Sequence, residues 1–351
     1  MRMYTFMFWA LPVMLLAAVL TPAVPGTQTT RVTTYSVGLT GRDESGYGSA
    51  LTPFRTIGYA LSKATPGTII LVQPGTYPEY LRTRIDGKRR GPITLKAQGA
   101  VRLLGEESRG RIVEVIHDYY VIDGFEFMGG DVQLWLEGAN HTTIANNFFH
   151  HAGGECVRLK YHSSNNVFSR NRVEDCGLDD FVNGGSGKNG EGIYLGTAPE
   201  QLDRNPTSKV DHTNNNSIRN NTFVTHGNEC VDIKEGSERN LVEFNNCTGQ
   251  RDPESGGFDA RGNKNTFRFN KSIGNAGAGI RFGGDTIADG TQNEAYGNIL
   301  VGNAGYALKV MRLPQGRICG NTESGNAGGF TNTAEIANPP CGFPLQSPGV
   351  Q

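Results

Sequence analysis

A short phrase recurs along this chain at a nearly constant interval. A β-branched or aromatic residue is followed two or three places on by Asn and another β-forming run. The copies are Ile144-Ala-Asn-Asn147, Phe168-Ser-Arg-Asn171, Ile218-Arg-Asn-Asn221, Phe244-Asn-Asn246, Phe267-Arg-Phe-Asn270, Tyr296-Gly-Asn298 and Ile318-Cys-Gly-Asn321. Successive Asn lie 24, 50, 25, 24, 28 and 23 residues apart. The 50 is either two periods or one period carrying a long loop. Repeats of this length mean stacked units, none of which buries a core alone. With 48 Gly and only short apolar runs, paired helices have no room, and the Leu-rich consensus of a leucine-rich repeat is absent. Short strands with Gly/Asn turns remain. A parallel β-helix fits, with Asn stacking its amides at one corner of successive coils. A β-sandwich with Asn-rich turns does not account for the regular spacing.

The ends divide the chain. Residues 1–25 read as a secretory signal: Arg2 supplies a charged start, 6–20 are apolar, and small residues follow near Ala23 and Gly26. Residues 26–48 are polar and Gly-rich and are expected as a flexible lead-in, 49–325 as the solenoid, and 326–351 as a tail that covers its end. A net charge of −1 gives no whole-molecule attraction to nucleic acid or to a membrane after signal removal. A secreted monomer is expected. Six Cys in an exported chain allow disulfides, with 15 connectivities open. Pairing within a coil (Cys156–Cys176, Cys230–Cys247) and near the end (Cys319–Cys341) is the expectation.

Aligning the chain by its repeat brings five runs into register: Glu155-Cys-Val-Arg-Leu-Lys160, Glu191-Gly-Ile-Tyr-Leu-Gly196, Glu229-Cys-Val-Asp-Ile-Lys234, Gly256-Gly-Phe-Asp-Ala-Arg261 and Ala278-Gly-Ile-Arg-Phe-Gly283. Side chains alternate along a strand, and parallel strands lie about 4.8 Å apart. Arg158, Tyr194, Asp232, Asp259, Arg281 and Lys309 therefore share one outward column, and Lys160, Lys234 and Arg261 the next. Glu155, Glu191 and Glu229 form a third. Carboxylates that close repel one another, and a bound cation relieves the repulsion; an oxygen-only donor set favours Ca²⁺.

A cation, a Lys and an Arg in an open groove suit β-elimination from an acidic polysaccharide. The proton beside a uronate carboxylate becomes acidic once that carboxylate is neutralised. A Lys whose pKa is lowered by neighbouring positive charge can remove it. Asp232 and Asp259 could instead serve as the paired acids of a glycoside hydrolase.

Two resemblances follow from these residues. The opening segment, Leu51-Thr-Pro-Phe-Arg-Thr-Ile-Gly-Tyr-Ala-Leu-Ser-Lys-Ala64 and then Pro66-Gly-Thr-Ile-Ile-Leu-Val-Gln-Pro-Gly-Thr-Tyr77, resembles that of the pectate-lyase-like proteins. Their fold is an all-β, single-stranded right-handed parallel β-helix whose open end is plugged by a short N-terminal capping helix. The spacing of Glu229, Lys234 and Arg261 resembles the site of the alginate lyase and chondroitinase B family of polysaccharide lyases. That resemblance implies Glu229 as a metal ligand, Lys234 as the base and Arg261 as acid or charge stabiliser, with Glu191 near the position of a further ligand; the carboxylate column adds Glu155 to the expected Ca²⁺ ligands. A second acidic ligand expected two places before Glu229 is Gly227 here. Arg158, Tyr194, Asp232, Asp259, Arg281 and His226 are the expected substrate contacts. A C5-epimerase, a hydrolase and a non-catalytic carbohydrate-binding solenoid are the alternatives.

Overall fold

Apolar side chains two residues apart leave each short strand with one face to bury, and stacking coils bury it. The computed structural model describes residues 32–185 and 188–342; the signal segment, 1–25, lies outside them. The chain is an all-β parallel β-helix. One face is an 11-stranded parallel sheet running from Thr33–Val37 to Ile318–Cys319. A second runs from Phe148–His150 to Thr322–Ser324. The third carries Val157–Lys160, Ile193–Leu195, Val231–Ile233, Gly256–Ala260, Ala278–Phe282 and Leu308–Val310. Two long strands, Val101–Val115 and Glu126–Glu137, pass through the second and third faces in the early coils. The core is one column of stacked residues per inward position, such as Leu134, Val157, Ile193, Val231, Phe258, Ile280 and Leu308, all buried.

The 50-residue interval is a single coil. Val167–Ser169 pairs directly with Ser217–Arg219, and the extra length holds the helix Leu178–Phe181 and the 3₁₀ turn Pro199–Arg204, on either side of the third-face strand Ile193–Leu195. These insertions flank the third face.

The Asn column runs with one change of register. Asn147, Asn171, Asn221, Asn245, Asn270, Asn298 and Asn321 each pass an amide N–H to the next, at 2.9–3.2 Å. Asn245 is the member, and Asn246 is exposed. Phe244 is not the inward aromatic of the phrase. It occupies the left-handed turn position (φ 56) that Asn220 and Phe269 (φ 55 each) hold in neighbouring coils. Its ring stacks on Phe269 with centroids 5.0 Å apart, and Val242 is the buried residue. A second ladder, Asn166, Asn216, Asn240, Asn265 and Asn293, lines another corner.

The lead-in differs from the flexible segment expected over 26–48. Thr33–Val37 pairs along its length with Thr68–Val72, because an open first coil would expose strand edges. The helix Ile57–Lys63 packs Ile57, Ala60 and Leu61 inward. Thr56 accepts from the Tyr59 amide, and Glu79 accepts from those of Ile57 and Gly58, satisfying donors that a helix start leaves free. Beyond 325, Thr331 bridges to Leu308 and Phe330 packs on the core. All three expected disulfides are present: Cys156–Cys176, Cys230–Cys247 and Cys319–Cys341.

A buried amide with unsatisfied neighbours costs about 1–3 kcal/mol. Asn245→Ala should therefore lower the denaturant midpoint by that equivalent, whereas Asn246→Ala should change stability by less than about 0.5 kcal/mol. Equal effects would refute the register.

Candidate active site

Strand pairing on the third face builds one outward column: Glu114, Trp135, Arg158, Tyr194, Asp232, Asp259, Arg281 and Lys309, each beside the next. Lys234 and Arg261 each emerge two places beyond Asp232 and Asp259, just past the ends of adjacent strands. Both line a single cleft of about 140 Å³ together with Glu191, Glu229, Asp232, Ser255 and Arg281. The insertions wall it: Lys188 comes from the first, and Asp252 and Glu254 from the 250–256 turn.

The floor is crowded with buried charge. Lys234 Nζ lies 2.6 Å from Asp232 Oδ2 and 4.6 Å from the centre of the Tyr194 ring. Arg281 Nη1 donates to Asp259 Oδ2 at 2.6 Å, and Arg261 Nε lies 3.8 Å from the same oxygen. Arg261 also faces Asp285 at 3.3 Å and Glu235 at 3.9 Å. Ser255 Oγ donates to Glu229 Oε1. The second oxygen of Glu229, Asp232 Oδ1, Asp259 Oδ1 and the Tyr194 hydroxyl have no hydrogen-bond partner among the described residues.

The expected Glu column splits. Glu155 turns to Arg158, 2.6 Å from its Nη1. The carboxylates that converge are Glu191, Glu229 and Asp232, with oxygens within 4.8 Å of one another. Asp232, expected as a substrate contact, thus takes the place expected for Glu155. Position 227 cannot carry the missing acidic ligand: a Cβ there would stand 2.2 Å from the Cys176 carbonyl oxygen. His226 does not line the cleft; it bonds Asp175 at 2.6 Å on an exposed turn.

Burial sets the protonation of this cluster. It pushes Glu191 up, helped by Glu155, to about 8, and Glu229 well above the ordinary carboxylate range, helped by Asp232. Asp259 is raised by burial despite Arg281, and Glu235 is pushed to about 7. Lys234 departs from expectation. Burial, the largest single influence, depresses its ammonium, but Asp232, Tyr194 and Glu191 together outweigh burial and Arg261, and its pKa stands well above the usual value. A lysine with a carboxylate at 2.6 Å keeps its proton.

Three buried carboxylates, an oxygen-only donor set and two unpartnered oxygens within it fit a hard divalent cation such as Ca²⁺. Glu191, Glu229 and Asp232 are the residues that would hold it.

The comparisons with known proteins agree on architecture. Residues 39–112, the capping helix and first coils, match a family described as a protein of unknown function, DUF1565. No curated protein matches the sequence. Among solved structures, an alginate lyase from Paenibacillus sp. str. FPU-7 superposes with a TM-score of 0.70 at 22% identity, covering 79% of this chain and 95% of that one. Pectate lyase Pel9A gives 0.56 at 15% identity, over 88% and 83%. The chain has the parallel β-helix fold of these structures. At these identities the likeness is one of fold, which this β-helix shares with polysaccharide lyases.

The raised carboxylates carry a pH signature. A group whose folded pKa exceeds its unfolded value binds more protons when folded, so it loses stability as pH rises between the two. For Glu191 that window runs from 4.5 to about 8. In metal-free buffer the melting temperature should fall as pH is raised through this window. A rise, or no change, would show the carboxylates to be ionised already.

Proposed function

We propose that this chain is a secreted polysaccharide lyase that cleaves a uronate-containing polysaccharide by β-elimination. The observation that carries the reading is one cleft lined by Lys234 and Arg261 above the carboxylates Glu191, Glu229 and Asp232. Three disulfides fit an oxidising compartment, and no helix among the described residues is long and apolar enough to cross a membrane.

In elimination the C5 proton leaves, its electron pair forms the C4–C5 double bond, and the C4–oxygen bond breaks. Arg261 and Arg281, permanently charged, suit the substrate carboxylate and the negative charge that develops on it. Lys234 serves as base only once Asp232 is engaged elsewhere; Arg261 beside it then favours the neutral amine. A guanidinium is a poor proton donor, so the Tyr194 hydroxyl, buried without a partner next to Lys234, suits protonation of the departing oxygen. Ca²⁺ held by Glu191, Glu229 and Asp232 would supply the positive charge that acidifies the C5 proton.

Hydrolysis is less well supported. Asp232 and Asp259 are adjacent, but Lys234 and Arg281 each lie 2.6 Å from one of them. Both carboxylates are thus engaged by a cation of the cleft rather than free to act on a glycosidic oxygen and a water. A C5-epimerase would remove the same proton and return it on the opposite face.

Wild-type protein should release products with the ultraviolet absorbance of an unsaturated uronate from at least one polymer in a panel of alginates, pectates and glycosaminoglycans. Lys234→Ala should lower kcat by about 10²–10⁴-fold, the contribution of a positioned base, with the thermal melt retained; full turnover would exclude it. Chelation should depress the rate and Ca²⁺ restore it. An unaffected rate would leave Glu191, Glu229 and Asp232 without a metal role.

A further inference from the structure

Lys160 shares the outward column of Lys234, two coils earlier, and the mechanism above leaves it unused. Only 4% of its surface is exposed, yet among the described residues its ammonium has no hydrogen-bond or ion-pair partner. Its support is Trp135, whose ring centre is 5.1 Å from Nζ. Arg111 and Arg158 lie against the same indole, at 3.5 and 5.5 Å. The nearby carboxylates are turned to other groups: Glu137 accepts from Trp135 Nε1, Asp211 from the Tyr161 and His162 amides, Glu155 pairs with Arg158, and Glu114 with Arg111. Burial and Arg158 push the Lys160 ammonium below its ordinary pKa. A buried ammonium with no carboxylate in direct contact is arranged for an anion that arrives from outside.

Between Lys160 and Lys234 the column passes through Gly196, where φ is +89 and a Cβ would stand 2.5 Å from Ser237 Oγ and 3.4 Å from the Lys234 Cβ. The step is bare backbone. Two strand steps separate the ammonium-bearing positions, roughly 10 Å along the solenoid axis, about the length of two sugar residues. In a ribbon-like uronate polymer, alternate sugars present their carboxylates to the same side.

We propose that Lys160, propped on Trp135, binds the carboxylate of a second uronate, two sugars away from the one at Lys234, past the step at Gly196 that carries no side chain. This rests on the polyuronate reading of the cleft and adds to it a direction, along the helix axis towards the N-terminal coils, and a minimum length. Lys160 is a binding residue that favours substrates able to span both positions.

Trp135 makes the subsite observable, because Trp9 is the only other tryptophan in the chain. In a Trp9→Phe, Lys234→Ala background, indole emission is titrated with size-graded oligouronates. The expected result is a saturable change whose affinity steps up once the oligomer covers both lysine positions. Lys160→Ala should remove that step, on the order of a tenfold loss for one charge-assisted contact, and Lys160→Arg should restore most of it. No emission change, or a step that survives Lys160→Ala in a protein with an unaltered melt, overturns the subsite. Unsaturated products from wild type without an emission response would sink the subsite and leave the lyase reading. A stepped response without products would do the reverse.

Discussion

Stacked Asn amides hold this molecule in register. Each buried Asn donates to the carboxamide of the next coil and also to a backbone carbonyl, as Asn221 does to Asn245 and Phe168. A slip of one residue would turn the apolar set outward and leave these amides without partners. That register converts sequence distance into neighbourhood. Residues 38 apart, Tyr194 and Asp232, and 27 apart, Asp232 and Asp259, become adjacent rungs.

Such adjacency is what makes the cleft chemically unusual. Glu191, Glu229, Asp232 and Asp259 are buried within a few strand steps, opposed by Lys234, Arg261 and Arg281. Burial alone disfavours ionised carboxylates, so the arrangement is costly unless protons or a cation settle among them. The same carboxylates hold the proton on Lys234. A cation bound here would thus be coupled to the basicity of Lys234 through one side chain, Asp232. That coupling is the physical reason to expect pH and divalent ions to act on one site together.

Much of this was legible in the sequence because a solenoid is nearly one-dimensional. Aligning five runs by their repeat was enough to line up Arg158, Tyr194, Asp232, Asp259 and Arg281, and to bring Lys234 beside Arg261. What the alignment could not see was side-chain direction and local backbone. Asn246 was favoured over Asn245 because Phe244 looks like an inward aromatic; only its left-handed φ reveals a turn. Glu155 was grouped with Glu191 and Glu229 because it starts its strand as they do, but Arg158 draws it aside and Asp232 turns in. Gly227 reads as a lost ligand in sequence, whereas the carbonyl of Cys176 fills the space a side chain would need. Counting cations along the column points to a lowered Lys234 pKa, because such a count omits the carboxylate 2.6 Å away. The start of the solenoid was also drawn too late, since the Gly-rich composition around 26–48 conceals a strand at Thr33–Val37.

The central claim is that two cations from successive coils act on one uronate ring to break its chain without water. Mass spectrometry of the fragments from a defined oligouronate tests it most directly. Elimination predicts fragments whose masses sum to that of the substrate, one of them a water lighter than its saturated counterpart. Fragments that together exceed the substrate by one water would mean hydrolysis, and would contradict the account.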